Sequence, residues 1–244
     1  MTQAAPLCLV TRPEPEATRF AAALGDRFGV ETLLAPVIDV SVISVSVKLD
    51  RFAGVILTSA NGARSLERLT VPREMPCFAV GEKTASVAQS LGYSARAMGG
   101  DAEGLIAELI ASQPKTPLLH LRGEQSRGDV ASRLSEAGLA CEEIVVYQQD
   151  EQEWPAETFN ALASHPTLIL PLFSPRSAQI VSSRMGNCEG IWPVALSAAV
   201  AKEVKLPGAR PTVVSASPTE AAMMDAIASV PPMRAWVEMA DRQS

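Results

Sequence analysis

Short apolar runs that lead into hydroxyl-bearing residues, and then into helix-type patterns, recur along the chain. In the clearest example, Val55-Ile-Leu57 predicts a buried strand, Thr58 and Ser59 a turn, and the pattern from Asn61 a helix. Such a turn places hydroxyls and free backbone N–H groups at a helix N-terminus, which is a general site for anions.

The same order of patterns returns in the last third of the chain. Three turns of the first copy have counterparts in the second, and the matched positions are Ser59 with Ser174, Gly81 with Ser197, and Glu103 with Glu220. Matched strand–turn–helix units in one order predict an internal duplication.

Two strand–helix–strand pieces, 1–35 and 118–147, are each too small to form a covered parallel sheet alone. In the first piece, Pro13 is expected at the first helical position. We expect residues 1–35 to pair with 167–230, and 118–147 to pair with 54–111. This predicts an α/β protein with two doubly wound, flavodoxin-like domains of parallel sheet.

The predicted domains are a discontinuous one, 1–35 plus 154–244, and a continuous one, 49–146. The segments 36–48 and 147–153 are predicted to form a two-stranded linker; for 36–48 an exposed edge strand is the alternative. Two crossings predict a hinge and a cleft between the domains, with the carboxyl ends of the strands facing it.

Composition narrows the function. The chain has 244 residues, 47% hydrophobic and 20% charged, which is enough for packed cores. Its net charge of -6 disfavours nucleic acid or an anionic membrane as a partner. The N-terminus lacks an export signal and the four cysteines are scattered, so we expect a cytoplasmic protein with reduced thiols.

Familiar cofactor and metal motifs are missing from the sequence. Gly81-Glu-Lys83-Thr84 lacks the spacing of a Walker loop, and no Gly-x-Gly-x-x-Gly occurs. We find no metal-ligand cluster and predict no cofactor. His120, inside an apolar strand, is interpreted as a core residue rather than a catalyst.

Two arginines and a tyrosine follow or end predicted strands. Arg12 and Arg122 are placed to bind carboxylates, although a surface role is the alternative for each. Tyr147 lies where a strand leaves for the second crossing, so either packing or a place in the cleft is consistent with the pattern.

Taken together, six segments resemble the uroporphyrinogen-III synthase family. They are Leu9-Val-Thr-Arg-Pro-Glu-Pro, Ile56-Leu-Thr-Ser-Ala-Asn-Gly, Ala79-Val-Gly-Glu-Lys-Thr-Ala, Leu121-Arg-Gly-Glu, Val145-Val-Tyr147 and Phe173-Ser-Pro-Arg-Ser. The resemblance covers nearly the whole chain and implies two α/β domains joined by a two-stranded linker. It departs at Ser197, where a glycine is usual, and at Gln148-Gln149.

The resemblance implies a cofactor-free cyclisation of hydroxymethylbilane, a linear tetrapyrrole, to uroporphyrinogen III in heme biosynthesis. Water is lost and the last pyrrole ring is inverted. Tyr147 is the implied catalytic residue, as a hydrogen-bond donor to the departing hydroxyl. The predicted substrate-binding residues are Thr11, Arg12, Thr58, Ser59, Asn61, Gly81, Lys83, Thr84, Arg122, Gly123, Ser174, Arg176, Ser197 and Thr219.

We expect a monomer that makes transient contact with the upstream bilane-forming enzyme. The alternative is a hinged two-domain protein that binds or senses a small anion without catalysis. Identification of the porphyrinogen isomer made from hydroxymethylbilane distinguishes the two.

Overall fold

The structure is a computed structural model that describes residues 5–125 and 128–241. The chain divides into two compact units. Unit 1 comprises Met1–Asp39 and Glu151–Ser244, and unit 2 comprises Val40–Asp150. Each unit contains a sheet and helices, which confirms the predicted α/β fold class.

The strands, in chain order, are β1 (Leu7–Val10), β2 (Glu31–Leu34), β3 (Ile38–Val42), β4 (Gly54–Leu57), β5 (Cys77–Ala79), β6 (Ala95–Ala97), β7 (Leu118–Gly123), β8 (Cys141–Glu151), β9 (Leu168–Leu172), β10 (Ile191–Ala195) and β11 (Val213–Val214). The α-helices are α1 (Glu16–Phe28), α2 (Ala60–Arg68), α3 (Glu82–Ser90), α4 (Ala102–Ser112), α5 (Val130–Glu136), α6 (Ala156–Ser164), α7 (Pro175–Arg184), α8 (Ala198–Ala201), α9 (Glu220–Ser229) and α10 (Pro231–Asp241). A short 3₁₀ helix covers Leu49–Arg51.

Unit 1 is built on a five-stranded sheet in the order β11-β10-β9-β1-β2. All its strand pairs are parallel, and Leu7 lies opposite both Glu31 of β2 and Leu168 of β9. The N-terminal strands are therefore completed by strands from the last third of the chain. Phe20 of α1 and Met223 of α9 lie in the core against this sheet.

Unit 2 is built on a six-stranded sheet in the order β3-β8-β7-β4-β5-β6. The pairs from β8 to β6 are parallel. Leu119 and Leu121 of β7 pack with α2 and α3 in one cluster, and Leu118 packs with α4 and α5 in another. Alternate residues of one strand thus serve two cores, as expected for a sheet with helices on both faces.

Two local predictions need correction. Helix α1 starts at Glu16 after an N-cap at Pro15, so Pro13 lies outside it. The predicted linker segments 36–48 and 147–153 contain the edge strand β3 and the end of β8, and their role as a two-stranded linker stays a prediction. Val40, Val45 and Val47 lie against the core of unit 2.

The second correction concerns the internal repeat. The helices that follow the third pair of turns begin after N-caps at Asp101 and Thr219. The capping positions, rather than Glu103 and Glu220, are therefore equivalent.

No helix in the described ranges is long and apolar enough to span a membrane.

Candidate functional site

Most of the predicted site residues lie in turns that follow strands and begin helices. In unit 2 the N-caps of α2, α3 and α4 are Ser59, Gly81 and Asp101. In unit 1 the N-caps of α7, α8 and α9 are Ser174, Ser197 and Thr219.

Each capping hydroxyl accepts a hydrogen bond from a backbone N–H of the helix that it begins. Ser59 Oγ accepts from the Gly62 N–H at 3.0 Å, and Ser174 Oγ accepts from the Ser177 N–H at 3.1 Å. A hydroxyl that accepts in this way keeps its own hydrogen as a donor. The Ser174 hydrogen is donated to Ser177 Oγ at 2.8 Å, so what both turns offer a carboxylate is the positive end of a helix with its free backbone N–H groups.

Ser59 also contacts the predicted catalytic residue. Its Oγ lies 3.0 Å from the Tyr147 hydroxyl oxygen, and either oxygen can be the donor. Tyr147 is 7% exposed, and its ring belongs to the core of unit 2. The hydroxyl is thus held at the start of α2 while the ring is fixed by packing.

A β-bulge determines where Tyr147 points. Arg122 pairs with Val145, but the next residue, Gly123, pairs with Tyr147, so Val146 is the additional residue on β8. Val146 and Tyr147 are consecutive, yet both lie in the same core cluster. Regular strand alternation would place them on opposite faces.

Gly123 gives the tyrosine ring its space. A Cβ at this position would lie 2.5 Å from Tyr147 Cζ and 2.8 Å from its hydroxyl oxygen. The backbone on both sides is fixed, because the Glu124 N–H donates to Tyr147 O at 2.9 Å. Gly123, predicted to bind substrate, therefore has a structural reason to be glycine.

Thr58 contacts a buried histidine. Its Oγ1 lies 2.9 Å from Nε2 of His120, which is 1% exposed. Burial, the largest influence, lowers the pKa of His120 to about 4; the charge of Glu143 raises this pKa and that of Arg122 lowers it. His120 is therefore a neutral interior residue near pH 7, as its sequence context predicted, but it also has a polar contact with the site.

The other predicted residues of unit 2 have different surroundings. Asn61 Oδ1 accepts from Arg64 Nη1 at 2.7 Å. Lys83 is exposed in the first turn of α3, whereas Thr84 is 6% exposed and lies inside. Arg122 donates to the Gly123 and Glu124 carbonyls and pairs with Glu143 at 2.8 Å.

The arginine of unit 1 is also engaged within the protein. Arg12 is 8% exposed, its guanidinium carbon lies 4.0 Å from the centre of the Phe173 ring, and Nη1 donates to Glu220 at 2.9 Å. Burial raises the pKa of Glu220, but hydrogen bonds and charges from Arg12 and Arg19 lower it more, so it lies below its ordinary value. Thr11 is 1% exposed and lies in the interior.

The remaining turns of unit 1 are more open. Ser174, Arg176 and Ser197 are half-buried, and Thr219 is exposed. Ser197 caps the short helix α8 and accepts from the Val200 N–H at 3.4 Å. Thr219 Oγ1 accepts from the Ala222 N–H at 3.2 Å. The described residues contain no group of side chains arranged to hold a metal ion.

Sequence reasoning did not identify three features of this region. They are the bulge at Val146, the contact between His120 and Thr58, and the role of Asp101 as a cap, whose Oδ1 accepts from the Gly104 N–H at 2.8 Å. Only Asp101 had a local signal, since an aspartate before a helical pattern is a common N-cap.

Comparison with known proteins gives one consistent result. A family model described as uroporphyrinogen-III synthase HemD matches residues 19–225. A uroporphyrinogen-III synthase from Chlorobaculum parvum (strain DSM 263 / NCIMB 8327) is 30% identical over 154 residues, which are 57% of this chain and 62% of the relative. The match therefore spans less than two thirds of that relative's length.

Solved structures give the same fold. Uroporphyrinogen-III synthetase from Helicobacter pylori 26695 has a TM-score of 0.67 at 19% identity, covering 91% of this chain and 97% of the other. A mutant uroporphyrinogen III synthase from Thermus thermophilus has a TM-score of 0.51 at 16% identity, covering 91% and 96%. At these identities the structures establish similarity of fold alone.

Proposed function

Because the chain belongs to the uroporphyrinogen-III synthase family, we propose that it converts hydroxymethylbilane to uroporphyrinogen III, with loss of water and inversion of the last pyrrole ring. The observation that carries the proposal is the hydrogen-bonded pair of Ser59 and Tyr147, 3.0 Å apart at the start of α2.

The protein needs to supply little covalent chemistry in this reaction. The carbon–oxygen bond of the hydroxymethyl group breaks as electrons move from the adjacent pyrrole, and the oxygen leaves with a proton as water. A positioned O–H donor stabilises the departing oxygen, and the enzyme must hold the chain folded for ring closure. A tyrosine hydroxyl has one hydrogen to donate, so Tyr147 can supply this bond.

The hydrogen bond with Ser59 determines whether Tyr147 can donate. Ser59 Oγ accepts from the Gly62 N–H and still has its own hydrogen. If Ser59 donates to the phenol oxygen, the Tyr147 hydrogen is free for the substrate. We propose this arrangement, since it makes Ser59 both a helix cap and the residue that orients the catalytic hydroxyl.

The substrate is rich in carboxylates, and capping turns suit them. Ser59 and Gly81 in unit 2, and Ser174 in unit 1, begin helices of nine, nine and ten residues. We propose that carboxylates accept from the free backbone N–H groups in the first turns of these helices. Thr11, Thr84 and Arg12 are buried, so we give them packing roles.

We further propose a cytoplasmic monomer that makes only transient contact with the enzyme supplying its substrate. The four cysteines are free thiols, which suits a reducing compartment. Size-exclusion chromatography with light scattering, with and without the supplying enzyme, checks this part of the proposal.

Product analysis tests the proposed activity. The protein is incubated with freshly made hydroxymethylbilane, and the porphyrinogens are oxidised and separated by isomer. We expect the type III isomer in excess over the type I isomer that forms without enzyme. An isomer ratio identical to that of the protein-free control would contradict the proposal.

A further inference from the structure

The contact between His120 and Thr58 joins a buried residue to the proposed carboxylate-binding turn. His120 lies on β7 directly opposite Ile56 of β4, and Thr58 follows β4 by one residue. Both side chains lie on the face that carries Ile56 and Leu118. Thr58 is half-buried, whereas the imidazole is enclosed.

The surroundings of the ring favour one tautomer. Nε2 lies 2.9 Å from Thr58 Oγ1, whereas Nδ1 is buried and has no hydrogen-bond partner among the described residues. If the proton were on Nδ1, an N–H donor would be buried unpaired, which is rare in proteins. With the proton on Nε2, the ring donates to Thr58 and only a lone pair is left without a partner.

The direction of this bond determines what Thr58 can do. A hydroxyl that accepts a hydrogen bond from a ring N–H cannot also donate its own hydrogen to that nitrogen. The Thr58 hydrogen is then available at the end of β4, beside the cap at Ser59. The reverse arrangement would commit that hydrogen to the ring.

We propose that His120 is a positioning residue that donates from Nε2 to Thr58 Oγ1 and so presents the Thr58 hydroxyl hydrogen to a carboxylate of the substrate. The proposal rests on the proposed function, because it assigns Thr58 to substrate binding. The substrate class is a polycarboxylate, and His120 itself does not touch it.

Burial keeps the ring a neutral donor, although the charge of Glu143 raises the pKa of His120 and that of Arg122 lowers it. Glu143 lies opposite His120 on β8, Arg122 lies two residues further along β7, and Cys141 lies at the start of β8. Burial raises the pKa of Cys141 to about 12, so the thiol is uncharged near pH 7. With the His120 pKa lowered to about 4, the donor role does not change between pH 6 and pH 9.

Substitutions that keep or remove the donor test the proposal. His120→Gln keeps a side-chain N–H near the Nε2 position, His120→Leu removes it, and Thr58→Val removes the hydroxyl at similar size. We expect His120→Leu and Thr58→Val each to lower kcat/KM about fivefold, chiefly through KM, the equivalent of one neutral hydrogen bond. His120→Gln should lose less than about twofold.

The double variant separates positioning from general damage. His120→Leu with Thr58→Val should be no worse than Thr58→Val alone, because the histidine acts only through the threonine. If His120→Leu costs as much in the Thr58→Val background as in the wild type, the proposal is overturned. Binding of uroporphyrin III, measured by fluorescence, should follow the same pattern.

The tautomer is also measurable in the wild-type protein. Imidazole ¹⁵N chemical shifts should show a protonated Nε2 and a bare Nδ1, unchanged from pH 6 to pH 9. A protonated Nδ1, or titration within that range, overturns the proposal even if His120→Leu fails to fold. If the wild type makes no type III isomer, the proposed function fails, whereas the ¹⁵N shifts and uroporphyrin binding still decide the role of His120.

Discussion

Two serines in equivalent turns of the two units make different bonds. Ser59 in unit 2 and Ser174 in unit 1 each cap a helix through the N–H three residues later. The second contact differs, since Ser59 Oγ lies 3.0 Å from the Tyr147 hydroxyl and Ser174 Oγ donates to Ser177 Oγ at 2.8 Å. The hydrogen of Ser174 is therefore used within its own helix, whereas Ser59 is linked to a neighbouring strand.

The neighbouring strands explain the difference. In unit 2, β7 pairs with β8, which brings Tyr147 opposite Gly123. In unit 1, β1 pairs with β2, and Val10 lies opposite Leu34. The duplicated framework thus supplies capped turns in both units, but a phenol beside the cap is present only in unit 2 among the described residues.

The comparison separates binding from catalysis. Capping turns are a property of the fold and recur wherever a strand leads into a helix. The phenol depends on residues of one copy, namely Tyr147, the glycine opposite it and the bulge beside it. The following predictions test that separation, beginning with the largest expected effect.

Tyr147→Phe should reduce turnover by roughly tenfold to a thousandfold, the range for a positioned donor. The ring and its packing are kept, so the melting temperature should change little. Substrate binding should also be nearly unchanged, because the proposed carboxylate contacts lie in other turns. Steady-state kinetics and isomer analysis measure the loss, and released bilane should close to the type I isomer.

The chain's other tyrosine provides the control. Tyr93 is 4% exposed, and its hydroxyl donates to Val71 O at 3.2 Å. Tyr93→Phe should lose about 1 kcal/mol of stability or less, with turnover unchanged. Equal turnover for Tyr147→Phe and the wild type would reduce Tyr147 to a packing role.

Gly123→Ala should impair the same step while the phenol is still present. The new Cβ would lie 2.5 Å from Tyr147 Cζ and 2.8 Å from the hydroxyl oxygen, so the ring or the adjacent backbone must shift. Overpacking of this kind costs about 1–3 kcal/mol of stability. We expect turnover to fall at least about tenfold, since displacement of a catalytic group by about 1 Å has large effects.

A matched glycine controls for the substitution itself. A Cβ at Gly25, within α1, would meet nothing within 4 Å. Gly25→Ala should leave turnover unchanged and stabilise the helix by up to about 1 kcal/mol. Full activity in Gly123→Ala, with the type III isomer as product, would show that the ring position is not required.

Some of the residues changed in these variants were predictable from the sequence. Ser59 and Ser174 were identified because their signals are local, a hydroxyl residue between an apolar run and a helical pattern. The parallel α/β class followed from alternating strand and helix patterns, and the family resemblance pointed to Tyr147. His120 was correctly assigned to the interior from its apolar neighbours.

The missing parts depend on residues far apart in the chain. His120 and Thr58 are separated by 62 positions, and Arg12 and Glu220 by 208. The bulge at Val146 has no local composition signal, because it is a mismatch in register between two strands. Local sequence patterns, which cover one segment at a time, cannot predict contacts between such distant residues.

Ser59→Ala and Ser174→Ala compare the two turns directly. Each loses an N-cap, so both should lower stability by about 0.5–2 kcal/mol. Only Ser59→Ala also removes the bond to Tyr147, and we expect it to lower turnover about fivefold further than Ser174→Ala. Thermal melts and kinetics on both variants are needed. A hundredfold loss for Ser59→Ala with an intact fold would mean that Ser59 takes part directly in the reaction.

The smallest expected effect concerns the buried arginine of unit 1. Arg12 donates to Glu220 at 2.9 Å, and the pKa of Glu220 lies below its ordinary value. A lowered carboxyl pKa adds stability above the unfolded value, near 4.5, and this contribution is lost as the pH falls through the folded value. The Glu220 side chain is 36% exposed, so we expect no more than about 1 kcal/mol.

Glu220→Gln should therefore be less stable than the wild type at pH 7, and the gap should be smaller at pH 3.5, below the unfolded value. Urea unfolding at both pH values measures the gap. A gap of equal size at both values would show that the carboxylate charge does not stabilise Arg12. Turnover at pH 7 should be nearly unchanged, because Arg12 lies against Phe173 in unit 1, and the proposed hydroxyl chemistry is in unit 2.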